Sequence, residues 1–424
     1  MQSWRQRNSP LSTITLLGSG MALSLIGDAT MYIALPTHTA QAGIALADVG
    51  LMLSANRIIR LFINGPYGLL IERIPRRWML VPSLFLGGLS YLLYTVPGFW
   101  PLLIGRLIWG VAWAGIWLGG STAVLDLAAD ENRGRYSGYY QMWFFIGVGV
   151  SSVVSGVLTD RVGYIETLRF SAIVALLFAG IWLVFLPETR PHGHRRRAAA
   201  SSSSSELPPP RPDSGRSRQP LVVAIALLGI NWLIFLGIIG ATMPLLLQER
   251  IGNEIVIAGL VIQLATLTGG LTAVNQFLGL LASPLSGWIS DRRGNRWILV
   301  VLSAGLGVTS LAMIAVGRGA VIIAAMMLSA VAMSVMQTQV MTLIGDYAQF
   351  NQQGRILGIL NTVGDLGSAA GPLLAYDVLL PRMGLGGVFW IMTGILTLML
   401  PWVLWTAWRE VHPAASAPQN AAAG

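Results

Sequence analysis

Five charged side chains lie inside long apolar runs of the sequence, and these are the residues whose chemistry demands an explanation. They are Asp28, Arg57, Arg60, Arg106 and Asp365. A charge surrounded by hydrocarbon costs several kcal/mol unless it is paired or faces water. Such residues therefore indicate an ion pathway, a proton site or a substrate site inside the protein.

Two of these arginines belong to a polar stripe on one predicted helix. Arg57, Arg60, Asn64, Gly68 and Glu72 follow one another at spacings of 3, 4, 4 and 4 residues. This spacing places all five on one face of an α-helix. We expect that face to point towards the protein interior.

Asp28 is predicted to lie level with Arg57. With a rise of 1.5 Å per residue, Arg57 lies about 22 Å along its helix from Glu72, and Asp28 lies about 24 Å from Ser12. The similar depth permits an Asp28–Arg57 ion pair. Arg106, near one end of its own apolar run, could join that pair from the same half of the membrane.

The amino-acid composition indicates the class of protein in which these charges lie. The chain has 424 residues, of which 54% are hydrophobic and only 11% are charged, whereas a soluble domain has about 25% charged residues. This excludes a soluble enzyme and a disordered protein. The net charge of +9 is spread over short arginine clusters between apolar runs, so we expect no nucleic-acid partner.

The residue types also argue against catalysis within this chain. The sequence has no cysteine and no lysine, which removes thiolate metal sites and the nucleotide-binding loop that requires lysine. The four histidines fall in predicted loops or in the C-terminal tail, at His38, His192, His194 and His412. No triad or metal spacing occurs inside the apolar runs, so we expect no enzyme activity, no metal and no cofactor.

Apolar runs of membrane-spanning length recur twelve times. Each could cross roughly 30 Å of hydrocarbon as a helix. The predicted spans are 12–35, 48–70, 78–96, 101–125, 137–158, 169–186, 221–247, 256–289, 297–316, 320–344, 356–380 and 386–408. The sequence thus predicts an all-α integral membrane protein.

The arginines between these spans predict the orientation. Alternate connections carry 19 arginines on one side and 5 on the other. Since basic residues accumulate in cytoplasmic loops, both termini are predicted to be cytoplasmic, and the composition suggests the cytoplasmic (inner) membrane of a bacterium.

The chain divides into two similar halves. Shifted by 219 residues, "ERIPRRWMLV" (72–81) aligns with "DRRGNRWILV" (291–300), and shifted by 220, "DLAADENRGRYSG" (126–138) aligns with "DYAQFNQQGRILG" (346–358). Between the halves lies a Ser-, Pro- and Arg-rich segment typical of a flexible linker. The predicted parts are a six-helix half at 1–187, a cytoplasmic linker at 188–219, a second six-helix half at 220–410 and a disordered cytoplasmic tail at 411–424.

The repeated loops carry a family resemblance. "GLLIERIPRRWML" (68–80) and "GWISDRRGNRWIL" (287–299) resemble the Gly-x-x-x-Asp-Arg-x-Gly-x-Arg signature of the major facilitator superfamily, and "RLIWG" (106–110) resembles its Arg-x-x-x-Gly motif. The resemblance implies twelve transmembrane helices in two halves, with the substrate site between them. Within this family, the sequence is similar to bacterial multidrug and metabolite exporters.

The glycine motif that antiporters of this family carry in helix 5 is only partly present. Gly138, Gly147, Ser151, Ser152, Ser155 and Gly156 occupy its positions without the proline, whereas helix 11 keeps Gly358, Gly367, Gly371 and Pro372 at the same spacing. These rows predict either a kinking element or close helix packing alone.

The same resemblance implies a cytoplasmic gate made of carboxylates facing loop arginines. The gate residues would be Gly68, Glu72, Arg73, Arg77, Asp126, Arg135, Gly287, Asp291, Arg292, Arg296, Asp346 and Arg355. Asp126 is expected to pair with Arg135, and Asp346 with Arg355. The alternative is that these arginines only fix the topology.

Polar and aromatic residues in the helices that the family uses to line its cavity are candidate substrate contacts. They are Tyr32, Trp113, Trp117, Asn231, Asn275, Gln276, Gln337 and Asn361. Each could instead make an interhelical hydrogen bond or lie at the lipid interface.

These observations predict a secondary transporter, a monomer in membrane lipid that moves a small molecule by alternating access. Burial favours the protonated form of a carboxyl group and a nearby arginine favours the carboxylate, so Asp28 is predicted to carry a coupled proton, with a static ion pair as the alternative. Asp365 is a second carrier candidate or a counter-charge for a cationic substrate. Proton-coupled export is the preferred interpretation; proton-linked uptake of an organic anion and a non-transporting membrane sensor or assembly partner are the alternatives.

Overall fold

The structure is a computed structural model that describes residues 9–129, 132–190, 219–257, 259–293, 296–347 and 353–411. Within these ranges the chain is almost entirely helical, as the sequence predicts. The long helices are α1 (Pro10–Ile33), α2 (Asp48–Arg73), α3 (Arg76–Tyr94), α4 (Phe99–Leu127), α5 (Arg133–Val162), α6 (Tyr164–Phe185), α7 (Gln219–Arg250), α8 (Leu264–Arg293), α9 (Arg296–Val316), α10 (Ala320–Tyr347), α11 (Gln353–Leu373) and α12 (Leu380–Val411).

Length and apolarity make most of these helices membrane spans. In the described part of the chain, nine segments are long and apolar enough to cross a membrane, and one of them, Thr362–Glu410, covers both α11 and α12. A left-handed Gly384 (φ +65°) separates the first residues of α12 from the rest of that helix. The helices α2 and α3 are not among the nine segments, and α2 carries the polar stripe described above.

Two helices contain π-helical turns. The middle of α7, Trp232–Ile239, is π-helical, and Leu374–Leu379 forms a second π-helical segment that joins α11 to α12. A π-turn widens the helix locally and is often found at functional positions. The second begins two residues after Pro372, whose missing N–H cannot support the regular helical ladder.

The sequence places the start of the eighth span too early. Glu254–Ile257 and Leu260–Gln263 form an antiparallel hairpin, β1 and β2, in which Ile257 pairs with Leu260. Both strands are rich in β-branched residues, and Gly259 adopts the positive φ (+81°) that a two-residue hairpin loop favours. The helix α8 therefore begins at Leu264 rather than at residue 256.

The described helices form two compact units. The first contains α1 to α6 together with Ala241–Ala273, and the second contains the described residues from Gln219 to Gly240 and those from Val274 onward. The boundary between units thus falls inside α7 and α8 as well as at the linker. Of the predicted linker, only 188–190 and Gln219 lie in the described ranges, and of the predicted tail only Val411 does.

Small residues bring helices into close contact in each unit. In the first, a Cβ atom on Gly147 of α5 would lie 2.6 Å from the Cα atom of Ala22 in α1. In the second, a Cβ atom on Gly371 of α11 would lie 2.5 Å from the Cα atom of Gly237 in α7. Both glycine rows of the sequence therefore serve close helix packing.

Candidate functional site

The centre of the first unit holds a buried ion pair between α1 and α4. Arg106 Nη1 lies 2.7 Å from Asp28 Oδ1. The Arg106 side chain has no exposed surface, whereas 20% of the Asp28 side chain is exposed. Of the two side chains, only that of Asp28 has exposed surface.

Backbone oxygens of α2 hold the other side of the Arg106 guanidinium. Its Nε donates to the carbonyl of Met52 at 2.7 Å, and Nη2 donates to the carbonyl of Leu53 at 3.5 Å. The Leu53 carbonyl also accepts a hydrogen bond from the Tyr32 hydroxyl at 3.1 Å. Arg106 thus links α4 to α1 and α2 at a single point.

Two guanidinium groups lie over the Tyr32 ring. The Arg57 Cζ atom is 5.3 Å from the ring centroid and the Arg106 Cζ atom is 5.7 Å from it. Distances of this size permit cation–π attraction. Arg57 is 8% exposed, Arg60 and Asn64 are half-buried, and Gly68 is exposed. Among its described side chains, the stripe is therefore buried only at its Arg57 end.

Asp28 forms an ion pair with Arg106 in the structure, whereas depth counting expects Arg106 only as an addition to an Asp28–Arg57 pair. Rise per residue gives the level of a side chain along its helix but not the direction in which it points. The face of α4 that carries Arg106 packs on α2 and on α1. That direction brings the Arg106 guanidinium to the Asp28 carboxylate.

Two tyrosines of α3 complete the surroundings of the ion pair, and the sequence analysis does not identify them. Tyr91 and Tyr94 are fully buried; the Tyr91 hydroxyl donates to the carbonyl of Ser24, and Arg106 Cζ lies 6.0 Å from the Tyr94 ring centroid. Their spacing of three residues on one helix face is the sequence signal that could have indicated an inward-facing pair.

A row of aromatic side chains continues along α4 from the ion pair. Trp109, Trp113 and Trp117 are spaced four residues apart, with 5.9 Å between successive ring centroids. Trp117 also lies 5.2 Å from the Phe144 ring of α5. Trp109 is fully buried, but Trp113 and Trp117 remain half-buried, so these two predicted cavity residues keep accessible ring surface.

The predicted gate of the first half centres on Asp126. Its carboxylate lies 2.8 Å from Nε of Arg76, whereas Arg135, the partner expected from the sequence, is exposed and donates to the Tyr139 hydroxyl at 3.2 Å. The residue that the sequence analysis missed is thus Arg76. It begins α3, directly after the loop of α2, and so reaches the end of α4.

A second carboxylate binds the same loop. Glu188 accepts hydrogen bonds from the backbone N–H groups of Arg76 at 2.9 Å and Arg77 at 3.1 Å. These N–H groups belong to the first turn of α3, which has no intrahelical acceptors for them. Arg190 in turn donates to the carbonyl of Arg73 at 2.8 Å, which ties the residues after α6 to the α2–α3 loop.

The corresponding loop of the second half shows one ion pair among its described residues. Arg296 Nη1 lies 3.3 Å from Asp291 Oδ1, and the Arg292 guanidinium lies over the Trp288 ring, 3.9 Å from its centroid. A Cβ atom on Gly287, like one on Gly68 in the first loop, would meet nothing within 4 Å. The side chains of Glu72, Asp346, Arg355 and Asn361 lie outside the described part of the structure.

The predicted polar residues of the second unit lie on four helices, α7, α8, α10 and α11. Asn231 in α7 is fully buried and donates to the carbonyl of Met333 at 3.5 Å. Asn275, Gln276 and Gln337 are half-buried, as is Asp365, whose backbone oxygen accepts a hydrogen bond from Ser368.

The sequence analysis does not identify one further buried amide side chain of this unit. Gln339 is fully buried, and its side-chain nitrogen donates to the Ser286 hydroxyl at 3.3 Å. It joins α10 to α8. The amide oxygens of Gln339, Asn231 and Asn275 have no hydrogen-bond partner in the described structure.

Comparison with known proteins agrees with this architecture. The model of the Major Facilitator Superfamily matches residues 17–276 and 265–424. The chain is 30% identical over 178 residues to the uncharacterized MFS-type transporter YcaD of Salmonella arizonae and 31% identical over the same length to that of Salmonella newport. These matches cover 40% of this chain and 45% of each relative, so the chain spans less than half the length of the curated relatives it matches.

Solved structures with the same fold are distant in sequence. A POT family transporter in complex with 5-aminolevulinic acid superposes with a TM-score of 0.76 at 13% identity, over 94% of this chain and 96% of that one. The human organic anion transporter MFSD10 (TETRAN) gives a TM-score of 0.59 at 20% identity, over 94% and 100% of the two chains. The family match over nearly the whole sequence and the helical membrane fold together show that the chain belongs to the major facilitator superfamily.

Proposed function

We propose that this transporter exports a small amphipathic compound in exchange for protons, and that Asp28 binds and releases the coupled proton. The observation that carries the proposal is the Asp28–Arg106 ion pair, 2.7 Å long, in which only the carboxylate is exposed. A carboxylate that is buried among helices, paired and still reachable by water is the arrangement that a proton carrier requires.

The surroundings of Arg106 permit its partner to change charge. If Asp28 is protonated, the guanidinium keeps its hydrogen bonds to Met52 and Leu53 and lies within cation–π distance of Tyr32 and Tyr94. A lone buried cation without such contacts would be far more costly. The site can therefore hold Arg106 in place through both protonation states of Asp28.

The aromatic row gives the substrate a surface close to the coupling site. Trp113 and Trp117 present half-buried rings along α4, the helix that also carries Arg106. Aromatic faces bind apolar and cationic groups. Substrate contact with this row and proton exchange at Asp28 would then be linked through one helix.

We further propose that the arginine-rich loops face the cytoplasm of a bacterium and form the cytoplasmic gate. The Asp126–Arg76 pair and the Glu188 contacts join the loop between α2 and α3 to the ends of α4 and α6. Charge-assisted contacts of this kind hold neighbouring helix ends together and break when those ends move apart.

Proton-linked uptake of an organic anion is the second candidate function. It is favoured by the guanidinium groups of Arg57 and Arg106, which both lie within cation–π distance of the Tyr32 ring. Guanidinium groups bind carboxylates by charge-assisted hydrogen bonds. The two candidates differ in the direction of pH-driven flux.

Inside-out vesicles with an acidic lumen separate the two functions. An exporter accumulates ethidium in the lumen, whereas an anion importer discharges carboxyfluorescein that was loaded into the lumen. We expect ethidium accumulation that Asp28→Asn abolishes. The matched control is Glu166→Gln, which removes the carboxylate of an exposed ion pair with Arg169 and should leave accumulation unchanged. Proton-driven accumulation that persists in Asp28→Asn contradicts the proposed role of this residue.

A further inference from the structure

Asp160, near the end of α5, binds the beginning of α8. Its Oδ1 accepts a hydrogen bond from the backbone N–H of Ala265 at 3.3 Å, and its Oδ2 accepts one from the N–H of Thr266 at 2.6 Å. Both N–H groups belong to the first turn of α8, which begins at Leu264. Such groups lack intrahelical acceptors and form the positive end of the helix dipole. A carboxylate from another helix thus serves as the cap of α8.

The two helix backbones touch beside this cap. A Cβ atom on Gly156 would collide with the carbonyl oxygen of Ala265, and a Cβ atom on Gly269 would collide with the carbonyl oxygen of Ser152. Only a glycine hydrogen fits at either point. Such contacts between small residues let membrane helices approach closely and separate again without rearranging large side chains.

The same contact continues at a looser spacing further along the helices. A Cβ atom on Gly149 would lie 4.0 Å from the Cβ atom of Ala273. These residues all belong to the first compact unit, which includes α8 only as far as Ala273 although the helix continues to Arg293. The segment of α8 that Asp160 caps is therefore the segment held on α5.

We infer that Asp160 is a gating residue: it holds together the ends of α5 and α8 that lie away from the arginine-rich loops, and its release is required for the transporter to open at that side. The inference rests on the alternating-access mechanism within the proposed function and not on proton binding by Asp28. Asp160 is not among the site residues that the family resemblance implies.

The absence of cysteine from the sequence permits a direct test. The double variant Gly149→Cys/Ala273→Cys places two thiols at a Cβ–Cβ distance of about 4 Å, inside the range of about 3.5–4.5 Å for a disulfide. The fraction of molecules that form the disulfide under mild oxidation measures how often the α5–α8 contact is closed. Maleimide-polyethylene glycol added after denaturation shifts only the molecules that remain unlinked.

We expect rapid disulfide formation in this pair and a rate about tenfold lower when Asp160→Ala is added, since hydrogen bonds to a charged group are the stronger ones. Asp160→Asn retains one acceptor oxygen and should give an intermediate rate. Glu166→Gln, at the exposed start of α6, is the matched control and should leave the rate unchanged. Equal rates with and without Asp160→Ala would overturn the inference.

A transport measurement supplies the second criterion. Oxidation of the Gly149→Cys/Ala273→Cys pair should stop ethidium accumulation, and a reducing agent should restore it. Transport that continues with the disulfide formed would show that the contact does not gate the protein. The proton proposal is tested separately. Asp28→Asn should alter pH-driven flux without altering the disulfide rate, and unaltered flux in this variant would contradict only the proton proposal. If Asp160→Ala does not fold, Asp160→Asn replaces it as the test variant.

Discussion

Arg106 is the fixed member of its pair with Asp28. The guanidinium has no exposed surface and donates to two backbone carbonyls of α2 in addition to the carboxylate, whereas Asp28 keeps a fifth of its side chain exposed. This asymmetry joins α1, α2 and α4 at one residue of α4. A change of charge at Asp28 therefore acts on the contacts among three helices.

Removal of Arg106 should be more damaging than removal of the whole pair. Arg106→Met leaves the Asp28 carboxylate without its partner, and we expect the free energy of unfolding to fall by about 3 kcal/mol. The double variant Asp28→Asn/Arg106→Met should recover much of this loss. Unfolding of the purified protein in sodium dodecyl sulfate measures both. Strictly additive losses would show that the two residues are not coupled.

An exposed ion pair provides the comparison for that experiment. Glu166 and Arg169 lie three residues apart on α6, and more than half of each side chain is exposed. Pairs of this kind contribute about 0–1 kcal/mol. Arg169→Met should therefore change stability far less than Arg106→Met.

The contact that Asp126 makes in the structure differs from the pairing that the sequence suggests. Asp126 pairs with Arg76, and Arg135 lies over Tyr139 instead. Arg76→Gln should lower ethidium accumulation in inside-out vesicles by roughly tenfold, since it removes a charge-assisted contact. Arg135→Gln should change it by less than about twofold. The reverse order of effects would contradict the assignment of the gate to Arg76.

The sequence predicts the helices well and the contacts between them only in part. Hydropathy and the arginine loops identify the spans and the repeat, because membrane length and charge leave a signal along the chain. The Asp28–Arg106 pair and the cap formed by Asp160 depend on which helix faces meet. No periodicity within one helix contains that information.

The hairpin before α8 shows a second limit of prediction from the sequence, which concerns the type of secondary structure. A window of apolar residues at 256–263 looks like the start of a span, yet Glu254–Ile257 and Leu260–Gln263 form strands. Short apolar runs do not distinguish a strand from the end of a helix, and only the β-branched composition and Gly259 favour the strand.

Trp117 should report substrate at the aromatic row. Its ring is half-buried beside Trp113 and Phe144, so ethidium bound there should quench tryptophan fluorescence. We expect Trp117→Ala to weaken ethidium binding about fivefold and Trp117→Phe to weaken it less, because the second variant keeps an aromatic face. Trp408→Phe, at an exposed position near the end of α12, is the control. Equal binding by Trp117→Ala and the unchanged protein would exclude the aromatic row as the ethidium site.

The packing of α11 on α7 should tolerate no side chain at Gly371. A Cβ atom there would lie 2.5 Å from the Cα atom of Gly237 and 2.8 Å from the carbonyl oxygen of Leu233, so Gly371→Ala must push two backbones apart. We expect a loss of about 1–3 kcal/mol in the free energy of unfolding. Gly270→Ala is the matched control, because a Cβ atom at that position of α8 would meet nothing within 4 Å, and alanine favours a helix over glycine by about 1 kcal/mol. Unfolding in sodium dodecyl sulfate should therefore show Gly371→Ala less stable and Gly270→Ala no less stable than the unchanged protein. If Gly371→Ala unfolds like the unchanged protein, α11 and α7 are not held at this distance.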